Sequence, residues 1–292
     1  MKAAPFSYAR ATSVAEACDW LRRDGDDVKL IAGGQSLVPM MAMRLTRPRR
    51  LIDINEIAAL KFIALEPGVA RIGACTRQCV IERDDALAEK VPLLRQALEW
   101  VGHTQTRNRG TGGGSLAHAD PAAELPLVAQ VLGATLTLRS ATGTRNVNAG
   151  EFLTGPLMTA MKPDECLEEI RWPAWPDPPS GSAFIEVSRR HGDFAMVAAA
   201  AQVALDGDER CARASFGIGG GGPVPRAFPE IAARLVGTKL EEGAVRDAAE
   251  AAAADVEFSG DLHASAEYRR HLAGTLAARA LRAARDQATG RI

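Results

Sequence analysis

VKLIAGGQSLVPMMAMRLTRPRRLIDI, residues 28–54, is the stretch that decides the fold of this 292-residue chain. The apolar run at residues 28–32 predicts a short buried strand, which leads directly into Gly33 and Gly34. Glycine lacks a Cβ atom and tolerates positive φ, so the backbone N–H groups after such a strand can converge on one anion. The stretch therefore indicates a phosphate-binding turn, although a pair of glycines is also common in an ordinary tight turn.

The residues on either side of this turn complete a small α/β lobe. Ser36 favours the start of a short helix at residues 37–45, and residues 51–54 predict a second strand. Before the turn, residues 13–24 have the spacing of an amphipathic helix that opens with a capping box. The alternation of helix and strand predicts an N-terminal lobe at residues 1–57.

A second glycine-rich segment lies in RNRGTGGGSLAHADPAAELP, residues 107–126. It combines glycines with hydroxyl groups, as the first segment does: Thr111, Gly112, Gly113, Gly114 and Ser115. Two such segments can hold two phosphates, which predicts a pyrophosphate clamp and hence a dinucleotide cofactor. Further along, Asp120 and Pro121 have the positions of an N-cap and a first helical residue, which predicts a helix at residues 121–131.

The remaining elements predict a second lobe and a C-terminal domain. In the second lobe, residues 58–175, strands are predicted at residues 69–74, 134–138, 144–147 and 167–172 and helices at residues 80–89 and 92–101. The strand at residues 144–147 can pair with the alternating strand at residues 134–138. The proline-rich stretch WPAWPDPP, residues 172–179, predicts a rigid linker and a domain boundary. In the C-terminal domain, residues 180–292, three strands precede three helices, at residues 183–188, 195–205, 211–218, 227–236, 241–254 and 264–287. This order indicates an α+β domain.

Composition and charge exclude several classes of protein. Hydrophobic residues make up 47% of the chain and charged residues 24%, and the formal net charge is -1, so binding to nucleic acid is not expected. The five cysteines form no CxxC motif, which argues against a zinc or iron–sulfur site in this chain. No apolar run is long enough to span a membrane and the N-terminus lacks a signal peptide, so a cytoplasmic location is expected.

The formal matches to nucleotide-binding motifs lack the context that those motifs need. Residues 112–117 match G-x-G-x-x-A and residues 217–222 match G-x-G-x-x-G, but a Rossmann site needs a preceding strand, a following helix and a nearby acidic residue. The first match follows a basic loop. The second is followed by Pro223 and Pro225, and we interpret it as a turn between a strand and a helix. The histidines lack metal-ligand spacing, so no metal-binding residue is predicted.

Three stretches together resemble the FAD-binding medium subunits of the xanthine dehydrogenase and carbon monoxide dehydrogenase family of molybdenum hydroxylases. They are IAGGQSLVPMMAMR at residues 31–44, RNRGTGGGSLAHADPAAELP at residues 107–126 and SRRHGDFAMV at residues 188–197. The resemblance covers nearly the whole chain. It implies an α+β protein with the two-lobed FAD-binding fold of the vanillyl-alcohol oxidase (PCMH) type, followed by a C-terminal domain with a three-stranded antiparallel sheet and helices.

By this resemblance, FAD lies extended between the two lobes. The positions that match cofactor contacts in the family are Ala32, Gly33, Gly34, Gln35, Ser36, Leu37, Val38, Thr111, Gly113, Gly114, Ser115, Glu124, Leu167 and Phe194. Three positions depart from the family pattern: Gln35 replaces a histidine found in several relatives, Gly112 replaces a valine or isoleucine, and Phe194 lacks the hydroxyl group of a tyrosine. The third glycine is expected to loosen the second segment without removing an amide.

The resemblance also implies a function and partners. In this family a large subunit with a molybdenum cofactor hydroxylates the substrate, and a small subunit with two [2Fe–2S] clusters carries the electrons to FAD. The flavoprotein passes them to an external acceptor, and the subunits assemble as a dimer of heterotrimers. Two alternatives are a stand-alone FAD-dependent oxidoreductase of the same fold and a non-enzymatic nucleotide-binding assembly protein.

Overall fold

The N-terminal lobe is built on a three-stranded parallel sheet. The computed structural model describes residues 2–175 and 180–291. The elements of this lobe are β1 (Ser7–Arg10), α1 (Val14–Asp24), β2 (Val28–Ile31), α2 (Leu37–Ala42) and β3 (Arg50–Asp53), and the strands lie in the order β1-β3-β2. Strand β1 was not predicted, because its four residues are mostly exposed and contain no apolar run.

Helix α1 has the predicted start at Ser13, with one change in its cap. The Ser13 hydroxyl accepts a hydrogen bond from the N–H of Glu16 at 3.1 Å. The Glu16 carboxylate, however, accepts from the backbone N–H of Thr12 at 2.8 Å rather than from that of Ser13. The capping box is therefore one residue wider than the usual form, and the buried face of α1 packs in the core of the lobe.

Among the described residues, the second lobe contains a five-stranded antiparallel sheet and seven α-helices. In chain order the strands are β4 (Ile63–Glu66), β5 (Val69–Gly73), β6 (Thr135–Arg139), β7 (Thr144–Asn148), β8 (Leu153–Gly155), β9 (Met158–Thr159) and β10 (Cys166–Pro173). The sheet has the order β4-β5-β10-β6-β7, whereas β8 and β9 form a separate hairpin. The helices are α3 (Gln78–Arg83), α4 (Asp85–Lys90), α5 (Pro92–Leu98), α6 (Thr104–Arg109), α7 (Gly112–His118), α8 (Glu124–Leu132) and α9 (Ala149–Phe152).

Two predicted helices of this lobe differ from the observed ones. The helix predicted at residues 80–89 is split into two, because the Asp84 carboxylate caps α4. The helix start predicted at Pro121 is wrong, since α8 begins at Glu124. The Asp120 carboxylate instead accepts a hydrogen bond, at 2.9 Å, from the N–H group two residues later. Asp120 therefore stabilises a turn before the helix rather than the helix itself.

The C-terminal domain contains a four-stranded antiparallel sheet with helices. Its elements are β11 (Ser180–Val187), β12 (Val197–Leu205), β13 (Cys211–Gly219), β14 (Arg226–Ala227), α10 (Pro229–Ala233), α11 (Glu242–Ala254) and α12 (Ala266–Ala288), with the strand order β11-β12-β13-β14. The prediction of three strands is therefore wrong by one. Strand β14 has only two residues and overlaps the helix predicted at residues 227–236, so no alternating pattern identifies it.

The glycine-rich turn at residues 217–222 leads into a strand rather than a helix. Its first residues belong to β13, and Gly220 and Gly221 have φ values of 74° and 79°. The chain then returns as β14 against β13. The N–H of Gly220 donates to the Pro121 carbonyl at 2.9 Å, which joins this turn to the second lobe.

The sheet of the C-terminal domain packs on the second lobe through one face. Phe184, Ala198 and Ala200 belong to the same buried core as Leu127 of α8. Helix α12 covers the opposite face, where a Cβ atom on Gly181 would collide with the α12 backbone. The two units thus share a core, which fixes the C-terminal domain beside the second lobe.

The linker predicted at residues 172–179 overlaps the end of a strand. Trp172 and Pro173 belong to β10, and Trp172 is 1% exposed. Residues 176–179 of the predicted linker lie outside the described residues. The division at residue 57 within the first part of the chain stays a prediction.

Candidate functional site

A cleft of about 1280 Å³ lies where the two lobes and the C-terminal domain meet. Thirteen of the fourteen predicted cofactor contacts line it: Ala32, Gly33, Gly34, Gln35, Ser36, Leu37, Thr111, Gly113, Gly114, Ser115, Glu124, Leu167 and Phe194. The fourteenth, Val38, is not among the lining residues and is 51% exposed. The fold therefore brings both glycine-rich segments to a single site, together with β10, α8 and the loop after β11.

The first glycine-rich segment presents a row of unused backbone donors. Strand β2 ends at Ile31, and Gly34 has a φ of 72°, which favours glycine. Within the described residues, the N–H groups of residues 33–37 donate to no protein acceptor. The Gln35 side chain donates to the Gly33 carbonyl at 3.0 Å and so stabilises the segment itself. Consecutive free amides between a strand and a helix fit a phosphate group.

The second segment is the N-cap and first turn of α7, not a loop, and four of its five amides already donate within the protein. The N–H groups of Gly112, Gly113, Gly114 and Ser115 donate to the Thr76 carbonyl (3.1 Å), the Ala74 carbonyl (2.9 Å), the Thr111 hydroxyl (3.0 Å) and the Thr111 carbonyl (3.2 Å), respectively. This segment can therefore contact a ligand through the hydroxyl groups of Thr111 and Ser115 rather than through these amides. The positive end of the α7 dipole lies at the same point.

Close backbone packing explains two of the glycines. A Cβ atom on Gly113 would lie 2.5 Å from the Cβ and 2.7 Å from the Cα of Ala74. A Cβ atom on Gly33 would collide with the carbonyl oxygen of Arg109 and lie 2.8 Å from the Cα of Gly110. The contact of Gly33 with Arg109 and Gly110 joins the two segments. It places the first glycine-rich segment directly against the residues that precede the second segment.

Two buried carboxyl groups belong to this part of the molecule. Glu124, the first residue of α8, lines the cleft but is only 8% exposed. Burial raises its pKa to about 7, and the charge of Asp120 contributes to the same shift. On β11, both carboxylate oxygens of Glu186 are buried without a hydrogen-bond partner among the described residues, and burial followed by the charge of Glu124 raises the pKa to about 9. This pKa shift favours the neutral form of Glu186, which belongs to none of the motifs in the sequence.

The C-terminal domain supplies the outer rim of the cleft. Phe194 lies in the loop between β11 and β12 and is 73% exposed. Arg269 of α12 donates to the Asp261 carboxylate at 2.6 Å and to the Met196 carbonyl at 2.9 Å. Hydrogen bonds from two backbone N–H groups and from Arg269 lower the pKa of Asp261 to about 2. Neither Asp261 nor Arg269 belongs to a motif, so no local pattern indicates that they lie at the cleft.

The described residues contain neither a candidate metal site nor a helix that could span a membrane. In the part of the chain that the structure describes, no group of three or more His, Cys, Asp or Glu side chains has the arrangement of a metal site. His191 stacks on Trp100, with 5.4 Å between the ring centroids. Across residues 2–175 and 180–291, no helix has the length and apolar character needed to cross a membrane.

Family comparisons identify the two parts of the chain. Residues 4–175 match the model of the FAD binding domain in molybdopterin dehydrogenase. The chain belongs to this family of flavoproteins. Residues 182–284 match the CO dehydrogenase flavoprotein C-terminal domain. The predicted family, the FAD-binding fold and the assignment as an oxidoreductase flavoprotein are confirmed.

Individual relatives match the flavoprotein over nearly their full length. The 6-hydroxypseudooxynicotine dehydrogenase complex subunit alpha of Paenarthrobacter nicotinovorans is 40% identical, over 96% of this chain and 95% of its own. The carbon monoxide dehydrogenase medium chain of Afipia carboxidovorans is 36% identical, over 97% and 98%. Among solved structures, quinoline 2-oxidoreductase from Pseudomonas putida 86 superimposes with a TM-score of 0.92 at 36% identity and covers 99% of each chain.

Proposed function

We propose that this chain is the FAD-carrying electron-transfer subunit of a heteromeric molybdenum hydroxylase. The observation that carries the proposal is the row of unused amides at residues 33–37, inside a cleft that all three parts of the chain form. The chain also matches the flavoproteins of molybdenum-dependent dehydrogenases along nearly its whole length. This match supports FAD as the ligand of these amides.

The residues of the cleft are suited to hold FAD without performing chemistry of their own. We assign the pyrophosphate to the free amides of the first segment, with Ser36 beside them and the Thr111 and Ser115 hydroxyl groups on the other side. Bound FAD supplies a redox centre that accepts electrons and passes them on. The contribution of the protein is the position and the electrostatic surroundings of the cofactor, so no catalytic acid or base is assigned.

The proposed partners are those of the family. A large subunit with the molybdenum cofactor and a small subunit with two [2Fe–2S] clusters supply the electrons, in a dimer of heterotrimers. An external acceptor removes the electrons from this chain. The relatives are named for nicotine derivatives, carbon monoxide, caffeine and quinoline, so the flavoprotein alone does not specify the substrate. We also propose a cytoplasmic location, which the five free cysteines favour.

A single purification tests both the partners and the site. We would tag the full-length chain in its native host and compare it with Ser36→Asp. Ser36 is the N-cap of α2 but makes no side-chain cap hydrogen bond. An aspartate there can accept from the free amides, and it places a carboxylate where we assign the pyrophosphate. The matched control is Ser13→Asp, the same change at the N-cap of α1, away from the cleft.

The expected wild-type product contains FAD and the molybdenum and iron–sulfur subunits. Ser36→Asp should bring down the same partners without FAD, and Ser13→Asp should retain both. Wild-type FAD content in Ser36→Asp would contradict the assignment of the pyrophosphate to the first segment. A flavoprotein that purifies alone and is reduced by an organic substrate would favour the stand-alone oxidoreductase.

A further inference from the structure

A continuous set of hydrogen bonds joins the two glycine-rich segments outside the cleft. The side-chain amide of Asn55 donates to the Ala32 carbonyl at 2.7 Å and to the Asp53 carboxylate at 2.6 Å. Its oxygen accepts from the Arg77 guanidinium at 2.7 Å. Another guanidinium nitrogen of Arg77 donates to the carbonyl of Arg109. The set thus runs from the residue before Gly33 to a residue shortly before the second segment.

These contacts bind two carbonyl oxygens that border the free amides. The carbonyl of Arg109 lies against Gly33, and the carbonyl of Ala32 precedes it directly. A carbonyl oxygen carries partial negative charge and repels a phosphate, whereas one that accepts a strong hydrogen bond is held in a fixed direction. The positively charged guanidinium of Arg77 donates such a hydrogen bond to the Arg109 carbonyl. Asn55 connects Arg77 to the first segment.

We infer that Asn55 and Arg77 are positioning residues for FAD, which fix the two segments at the separation that the pyrophosphate needs. Neither side chain lines the cleft, so both act through the backbone rather than by contact with the cofactor. The inference rests on the proposed function, because it assumes that the pyrophosphate binds at the first segment. Asn55 lies at the end of the N-terminal lobe and Arg77 in the second lobe, so the link also connects the lobes.

The test measures FAD binding to the deflavinated full-length chain. The variants are Asn55→Ala, Arg77→Ala, the double variant and Arg77→Lys, and the control is Arg22→Ala, which breaks an exposed ion pair of α1 with 3.6 Å between charged atoms. The measurements are the dissociation constant from quenching of flavin fluorescence, the circular dichroism of the bound flavin and the melting temperature of the flavin-free chain.

We expect each alanine variant to raise the dissociation constant about tenfold, the order of effect of one charge-assisted hydrogen bond. The double variant should bind about as weakly as either single variant, because both changes break the same link. Arg77→Lys keeps the charge but not the two-pronged geometry and should bind with intermediate affinity. Arg22→Ala should bind as the wild type does, and the flavin-free melting temperatures should agree within a few degrees.

Two results would overturn the inference. One is a dissociation constant within twofold of wild type in both alanine variants. The other is weaker binding that follows a matching loss of melting temperature in the flavin-free chain, which identifies a role in folding alone. Failure of the proposed site is a separate result: Ser36→Asp then keeps its FAD, whatever the Asn55 and Arg77 variants do.

Discussion

The two glycine-rich segments have similar composition but opposite hydrogen-bonding states. In the first, the N–H groups of residues 33–37 have no acceptor among the described residues. In the second, the N–H groups of residues 112–115 all donate within the protein. Both segments line the same cleft. A run of glycines therefore indicates that something approaches the backbone closely, but only the tertiary structure decides whether that is a ligand or another part of the chain.

In the proposed site, the two segments therefore have different roles. The first segment can bind an anion through its backbone N–H groups, whereas the N–H groups of residues 112–115 in the second segment stabilise the packing of the protein itself. Its glycines permit α7 to lie against the end of β5, where the Gly113 N–H reaches the Ala74 carbonyl at 2.9 Å. The contribution of the second segment to the affinity for FAD must then come from its hydroxyl groups, the α7 dipole and neighbours such as Glu124.

The largest effect expected from this comparison is that of Gly113→Ala. The new Cβ atom would lie 2.5 Å from the Ala74 Cβ and 2.7 Å from its Cα, so α7 has to move away from β5. Overpacking of this kind costs about 3 kcal/mol or more when backbone must shift. Urea unfolding of the flavin-free chain measures this cost directly. A free energy of unfolding within about 0.5 kcal/mol of wild type would contradict the role of Gly113 in packing.

The sequence predicted the elements whose signals are local. Helix α1 has its N-cap at Ser13, and the alternating strands β6 and β7 pair as expected. The family motifs identified thirteen residues that the fold brings to one cleft. These predictions depend on neighbours within a few positions or on a pattern shared with relatives, and the role of the thirteen residues in cofactor binding stays a prediction.

The features that the sequence missed depend on distant partners. The state of the Gly113 amide is set by Ala74, which lies 39 positions earlier. The link between Asn55 and Arg77 spans 22 positions, and neither residue belongs to a glycine motif. The predicted helix start at Pro121 is wrong because its carbonyl accepts from Gly220 of the C-terminal domain and the preceding aspartate forms a turn. Local propensity cannot report such contacts.

A second effect, of similar size at most, is expected from the pH dependence of Glu124. Burial raises its pKa in the folded chain to about 7 from a model value of 4.5. The folded chain thus holds this proton more tightly than the unfolded chain. The resulting stabilisation is complete below pH 4.5 and is lost as the pH rises to about 7, a change of about 3 kcal/mol. Glu124→Gln should remove this part of the pH dependence of the free energy of unfolding.

The same variant tests the contribution of the second side of the cleft. A protonated carboxyl group can donate a hydrogen bond, whereas a carboxylate only accepts and repels a pyrophosphate. We therefore expect wild-type affinity for FAD to fall as the pH rises through 7, and that of Glu124→Gln to change less. Exposed Glu250 of α11 provides the control variant Glu250→Gln. Parallel pH profiles for wild type and Glu124→Gln, in both unfolding and binding, would contradict this explanation.

The smallest expected effect concerns Gly112, the position where the family pattern has a larger residue. A Cβ atom there would lie 3.1 Å from Cδ1 of Ile81, the flexible end of a side chain, and its N–H already donates to the Thr76 carbonyl. Gly112→Ala should therefore stabilise the first turn of α7 by about 0.5–1 kcal/mol, since alanine loses less backbone entropy than glycine. The urea midpoint should rise while the affinity for FAD stays the same. If Gly112→Ala instead weakened binding as strongly as Ser36→Asp does, this amide would contact the cofactor, and the contrast between the two segments would be wrong.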